Sequence, residues 1–186
     1  MIDLQDYYAA VVAAIQAQFP GFKTVEFDRE DRDPRTLQVP ACLLTITEFE
    51  DAADQDPGTE QWPTVARVEA QVILGFREPA VNLAVRKAAT SLAVWLRYRR
   101  FPDLNDPPKT LPTGAAMVQG VFLDDFSPEL DQFQVWRVEW LQHMDLGASV
   151  FAEEPGPTPT PFFSWSPLIG TGNEQHYRPG LRGMAP

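Results

Sequence analysis

The sequence predicts an α+β fold: an antiparallel-dominated mixed sheet with two helices packed on one face, followed by an extended Pro/Gly-rich C-terminal arm. Three observations lead there. Two stretches place apolar residues at helical spacing, and five shorter ones show the alternation or β-branched enrichment of strands. The helices are separated by groups of strands, an order that suits helices laid on one side of an antiparallel sheet. The last 39 residues, with seven prolines and five glycines, hold neither period.

The elements follow in order. In "DLQDYYAAVVAAIQAQF" the residues Leu4, Tyr7, Tyr8, Val11, Val12, Ile15 and Phe19 form one helical face, closed by Pro20 and Gly21. A short strand is expected around 24–27, and "ACLLTITEF" over 41–49 reads as a longer one. "RVEAQVILGF" alternates, with Val68, Ala70, Val72, Leu74 and Phe76 on one side and Arg67, Glu69, Gln71 and Ile73 on the other. The second helix is expected in "EPAVNLAVRKAATSLAVWLRYRR". Pro79 suits its first turn, and Val81, Val85, Ala88, Leu92, Trp95 and Leu96 form its face. Two strands close the domain, "AAMVQGVFLDDF" and "DQFQVWRVEWLQHM"; the second puts Trp136, Val138, Trp140 and Met144 on one face, and "DDFSPELD" forms the turn between them.

This divides the chain into a domain over 1–147 and an arm over 148–186. The arm holds Phe162, Phe163, Trp165, Leu168, Ile169 and Tyr177 among its prolines. Large apolar side chains cost roughly 1.5–3 kcal/mol each when left in water, so the arm is expected to dock on a partner or on its own domain.

Charge and cysteine usage narrow the class. Fifteen Lys and Arg against 26 Asp and Glu give a net charge of −11, which opposes general attraction to nucleic acid or an anionic membrane. Cys42 is the sole cysteine, so no internal disulfide forms and a reducing compartment is expected. "MIDLQDYY" carries acids where a secretory signal would carry bases, and the apolar run over 7–15 is too short to span a bilayer. A soluble protein made in the cytoplasm is the expectation.

Motifs for chemistry are sparse. There is no P-loop, GxSxG, HExxH or CxxC pair. Gly170-Thr171-Gly172 precedes no helix pattern, His143 reads as a surface or edge residue, and His176 sits in the arm beside Glu174. We therefore expect no enzyme, no cofactor and no metal, with a site of scattered carboxylates as the enzymatic alternative. Two charge clusters stand out. "EFEDAADQDPGTE" holds Glu48, Glu50, Asp51, Asp54, Asp56 and Glu60 with no base, and reads as a solvated acidic loop between strands. "RYRR" places Arg97, Arg99 and Arg100 at the end of the second helix, where cations favour the dipole and can pair with an acidic patch on another copy.

The run of "VPACLLTITEFE", "ARVEAQVILGF", "NLAVRKAATSLAVWLRYRR", "AAMVQGVFLDDF" and "FQVWRVEWLQHMDLG" resembles tail terminator (tail completion) proteins of long-tailed bacteriophages. The ending "SWSPLIGTGNEQHYR" is similar to that of the Mu-like type through Pro167, Ile169, Gly170, Gly172, Glu174 and Tyr177, with Asn173 where a histidine is expected. The resemblance implies a virion protein of the tail or neck, assembled in the host cytoplasm. It implies a homo-oligomeric ring of about six subunits that caps the head-proximal end of the tail tube, stops its polymerisation and joins it to the head-side connector. DNA would cross an acidic lumen without specific binding, with no membrane involved. On that view the 48–60 acids face the lumen or the tube, Arg97, Arg99 and Arg100 form an inter-subunit basic patch, and the arm straps a neighbour. Another phage neck or tube component, or a non-phage α+β ligand-binding domain, are the alternatives.

Overall fold

The computed structural model describes residues 2–30, 33, 35–77, 79–124, 130, 132–150, 162–163, 169–176 and 178–179. The chain forms two compact units, Met1–Phe151 and Ala152–Pro186.

In the first unit, helix α1 (Leu4–Gln18) starts where Asp3 Oδ1 accepts the Gln5 N–H at 2.7 Å, capping an orphan donor of the first turn. The chain then runs through β1 (Thr24–Phe27), β2 (Ala41–Asp51), β3 (Trp62–Gly75), helix α2 (Val81–Leu96), β4 (Met117–Leu123) and β5 (Phe133–Leu146). These make a five-stranded sheet in the order β1-β2-β3-β5-β4. Only β1 and β2 run parallel; the other three pairings are antiparallel. The expected α+β architecture, a mixed sheet dominated by antiparallel pairs, is the one observed.

Alternation assigns the faces. Cys42 and Leu44 on β2, Ala66, Val68, Ala70, Val72 and Leu74 on β3, and Val138, Trp140 and Met144 on β5 share one core with Tyr7, Val11 and Ile15 of α1 and Val85, Ala89, Leu92 and Leu96 of α2. Both helices therefore cover the same side of the sheet. On the other side a small cluster of Leu37, Ala41, Ile73 and Val135 fills one end, and charged residues occupy the rest.

Several details differ from the sequence pattern. Phe76, counted with the inward set of β3, lies past the strand in a turn and is 52% exposed. Pro79 stands outside α2, whose N-cap is Ala80 in the left-handed region at φ 49°. α2 ends at Leu96, so Arg97, Arg99 and Arg100 follow the helix and do not sit in its last turn. β2 runs to Asp51, which makes Glu48, Glu50 and Asp51 strand residues; the loop proper begins at Ala52. His143 is half-buried on β5, a strand paired on both sides, and not at an edge.

In the second unit, β6 (Phe162–Phe163) pairs antiparallel with β7 (Arg178–Pro179). Between them Gly170 and Gly172 take φ values of 87° and 92°, which only glycine adopts freely. The second, in a turn just before the single 3-10 turn of Glu174–His176, is held by its N–H donating to Glu174 Oε1 at 2.9 Å. Trp165, Leu168 and Tyr177 lie outside the described residues, as does most of the "DDFSPELD" turn.

Candidate assembly surfaces

The helix-free face of the sheet is built from the outward half of each strand's alternation. Antiparallel register sets Glu48 and Glu50 of β2 beside Arg67 and Val65 of β3, and sets Glu69, Arg67 and Val65 opposite Glu139, Leu141 and His143 of β5. Arg67 is forked between the two acids of β2, with Nε 3.3 Å from Glu48 Oε2 and Nη2 2.9 Å from Glu50 Oε1. These paired acids raise the Arg67 pKa further above its ordinary value. Arg137 holds the second group, at 2.8 Å from Glu139 and 3.5 Å from Glu69. The ring of Phe122 on β4 lies 5.9 Å from its guanidinium. Gln71 Nε2 donates to Asp124 Oδ2 at 2.7 Å beside them. Burial pushes the Glu69 carboxyl above its usual range, Arg137 opposes this, and Glu139 and Asp124 add to it. Further along β5, His143 Nε2 stands 3.7 Å from Asp145 Oδ1. Acids outnumber cations across this wall, and its groups are fixed by strand geometry.

The hairpin joining β2 to β3 carries the rest of the predicted acidic stretch. Asp51, Asp54, Asp56 and Glu60 are exposed. Asp51 Oδ1 accepts the Trp62 indole N–H at 2.9 Å, and Asp56 Oδ1 accepts the Gly58 N–H at 2.8 Å, closing the turn. Trp62 stays 45% exposed, its ring 6.4 Å from that of Phe49. The structure thus splits the six acids: Glu48 and Glu50 stand on the wall, while Asp51 holds the exposed Trp62 and Asp54, Asp56 and Glu60 are exposed on the same hairpin.

The predicted basic patch is also divided. Arg99 stacks 4.1 Å from the Trp95 ring and donates from Nε to the Trp95 carbonyl at 3.0 Å. Arg100 donates from Nη1 to the Thr113 carbonyl at 2.8 Å. Arg97 lies 5.0 Å over the ring of Tyr98, itself 67% exposed and held at φ 60°. Such a φ is uncommon for an aromatic residue and turns this side chain outward. Sequence reading missed Leu83, Val94, Tyr98 and Trp62 as exposed apolar groups. A signal for the first three existed: Leu83, Lys87, Thr90, Val94 and Tyr98 recur at helical spacing opposite the core set. For Trp62 the only signal was an aromatic residue in a polar stretch.

Among the arm residues, Phe162 and Phe163 are described only as strand β6, and Ile169 is exposed. Cys42 is fully buried, which pushes its thiol up to about 12. Among the described residues no group of three or more His, Cys, Asp and Glu is placed to hold a metal ion, and no helix is long and apolar enough to cross a membrane. No protein-family model matches the chain, and no curated protein matches it in sequence.

Proposed function

We propose that this chain is a structural virion protein of a long-tailed phage. In this reading its copies form a ring that caps the head-proximal end of the tail tube, halts tube growth and presents a surface to the head-side connector. The observation that carries the reading is the helix-free face of the sheet. Glu48, Glu50, Glu69, Glu139 and Asp145 stand on it with Arg67 and Arg137, so its charge is negative and both arginines are already engaged by acids. A lumen wall for DNA needs that combination. Unpaired cations would bind phosphates and release counterions, whereas an acid-rich wall lets the strand pass. With the helices stacked on the other side, the ring would turn its sheets inward and its helical layer outward. The α+β fold and the resemblance of element order to tail terminators support the same conclusion, as does the net charge of −11.

The test is mass and shape in solution. Light scattering followed by negative-stain images should find a ring of about six subunits, formed by the chain alone or on mixing with tail tube protein. A strict monomer that ignores tube protein overturns the reading, and a defined apolar pocket in such a monomer would turn it toward ligand binding.

A further inference from the structure

The helical layer carries an open groove of about 480 Å³ lined by Gln18, Phe19, Thr90, Ser91, Val94 and Trp95. Its apolar lining is unusual for a solvent face: Val94 is 77% exposed, and Trp95 packs edge-on against Phe19 at 5.6 Å. Four of its six lining residues fall within 81–100, a stretch with five Lys or Arg and no Asp or Glu in a chain of net charge −11. Lys87 and Arg97 are exposed on the same helix and its outgoing turn.

Elsewhere on the same chain the β2–β3 hairpin has the converse surface. Trp62 projects 45% exposed, and its indole N–H is already held by Asp51 at 2.9 Å. Asp54, Asp56 and Glu60 are exposed on the same hairpin, and its segment 48–60 contains no base. A tryptophan fixed in this way loses little rotamer freedom on docking, and a tryptophan that fills a pocket at the centre of a contact supplies much of its binding energy.

We propose that the groove between α1 and α2 receives the Trp62 hairpin of a second copy, with Asp54, Asp56 and Glu60 meeting Lys87 and Arg97. Knob and groove lie on different elements of one chain, so the contact is heterologous and repeats from copy to copy, closing into a ring when its rotation allows. This assigns the hairpin tip to the subunit contact and leaves only Glu48 and Glu50 of the acidic stretch on the wall. It deepens the ring reading by naming the surfaces that join neighbours.

The test uses two single variants of the full chain, Trp62→Ala and Val94→Glu, studied by light scattering over a concentration series. Both sites are exposed, and circular dichroism checks that each variant folds. Each alone should self-associate at least about tenfold more weakly than wild type. Mixed in equal amounts they should form a dimer and stop, because each Val94→Glu chain keeps a knob and each Trp62→Ala chain keeps a groove. Added salt should weaken the wild-type association. Variants that associate like wild type, a mixture that makes no dimer, or a wild-type chain monomeric at every concentration each overturn the contact. A ring built normally by both variants would remove this contact alone and leave the ring reading standing. A dimer from the mixture with no wild-type ring, even on tube protein, would do the reverse.

Discussion

Glu69 and Glu139 stand directly opposite each other on the two central strands, and one guanidinium, that of Arg137, reaches both. Two half-buried carboxylates sharing one cation leave a surplus of negative charge. For Glu69 the burial outweighs Arg137, so its folded-state pKa lies above the unfolded value. A carboxyl raised in this way favours the folded state when protonated, and that contribution is lost as pH rises from the unfolded pKa through the folded one. Glu69→Gln should therefore melt about 1–2 °C higher than wild type at pH 7, and the difference should vanish near pH 4. Scanning calorimetry of both proteins at the two pH values checks it; a lower melting point for the variant at pH 7 would show that the Arg137 pair dominates.

Arg67 gives the opposite case. Its side chain and those of Glu48 and Glu50 are 32%, 55% and 47% exposed, so solvent screens both pairs. Arg67→Ala should cost under about 1 kcal/mol of stability. Urea melts measure that cost. The same variant exposes two unpaired acids on the wall, so its elution from an anion-exchange column should move to higher salt.

Burial separates two neighbours on α2. Leu92 is fully buried, whereas Val94, two residues on, is 77% exposed. Leu92→Ala should lose about 2–5 kcal/mol, while Val94→Ala should stay within about 0.5 kcal/mol of wild type. Equal losses in denaturant titrations would contradict the assignment of helix faces.

Cys42 is fully buried on β2, and its thiol is pushed up to about 12. It should be inert to a thiol-reactive dye in the native protein and react stoichiometrically in urea. Fast labelling of the folded chain would mean that the β1–β2 end of the sheet opens readily.

The arm supplies a further prediction. On the proposed ring reading, replacing Phe162, Phe163 and Trp165 together by Ser in the full chain should abolish ring assembly while leaving the domain's melting point nearly unchanged. Rings that form and cap tubes as before would sink the idea of a strap.

How much of this was legible in the sequence depended on whether neighbours in the chain or neighbours in space decide the outcome. The face of α1 was readable because Leu4 through Phe19 carry the helical period without interruption, and Asp3 is a good N-cap. The inward set of β3 was equally clear up to Leu74, but Phe76 followed the alternation past the point where the chain turns. The acids at 48 and 50 looked like loop because nothing near them in sequence offsets their charge. Their cation, Arg67, is supplied by strand pairing, as Arg137 is for Glu69 and Glu139. The arginines after α2 read as one patch, yet the backbone carbonyls of Trp95 and Thr113 capture two of them. A groove shared by two helices has no one-dimensional signature.

The longest ladder of the sheet has a consequence in time. β3 and β5 are each 14 residues long and pair along their whole length, from Trp62 with Leu146 to Gly75 with Phe133. All of α2 and β4 lies between them in the chain. On a ribosome, therefore, β3 emerges and waits with one side open until the last strand arrives. Its apolar run from Val72 to Leu74 is then open to wrong partners. Contacts between segments so far apart make folding slow, in the range of about milliseconds to seconds. A chain built on such a ladder therefore gains most from conditions in which an exposed strand is quickly covered.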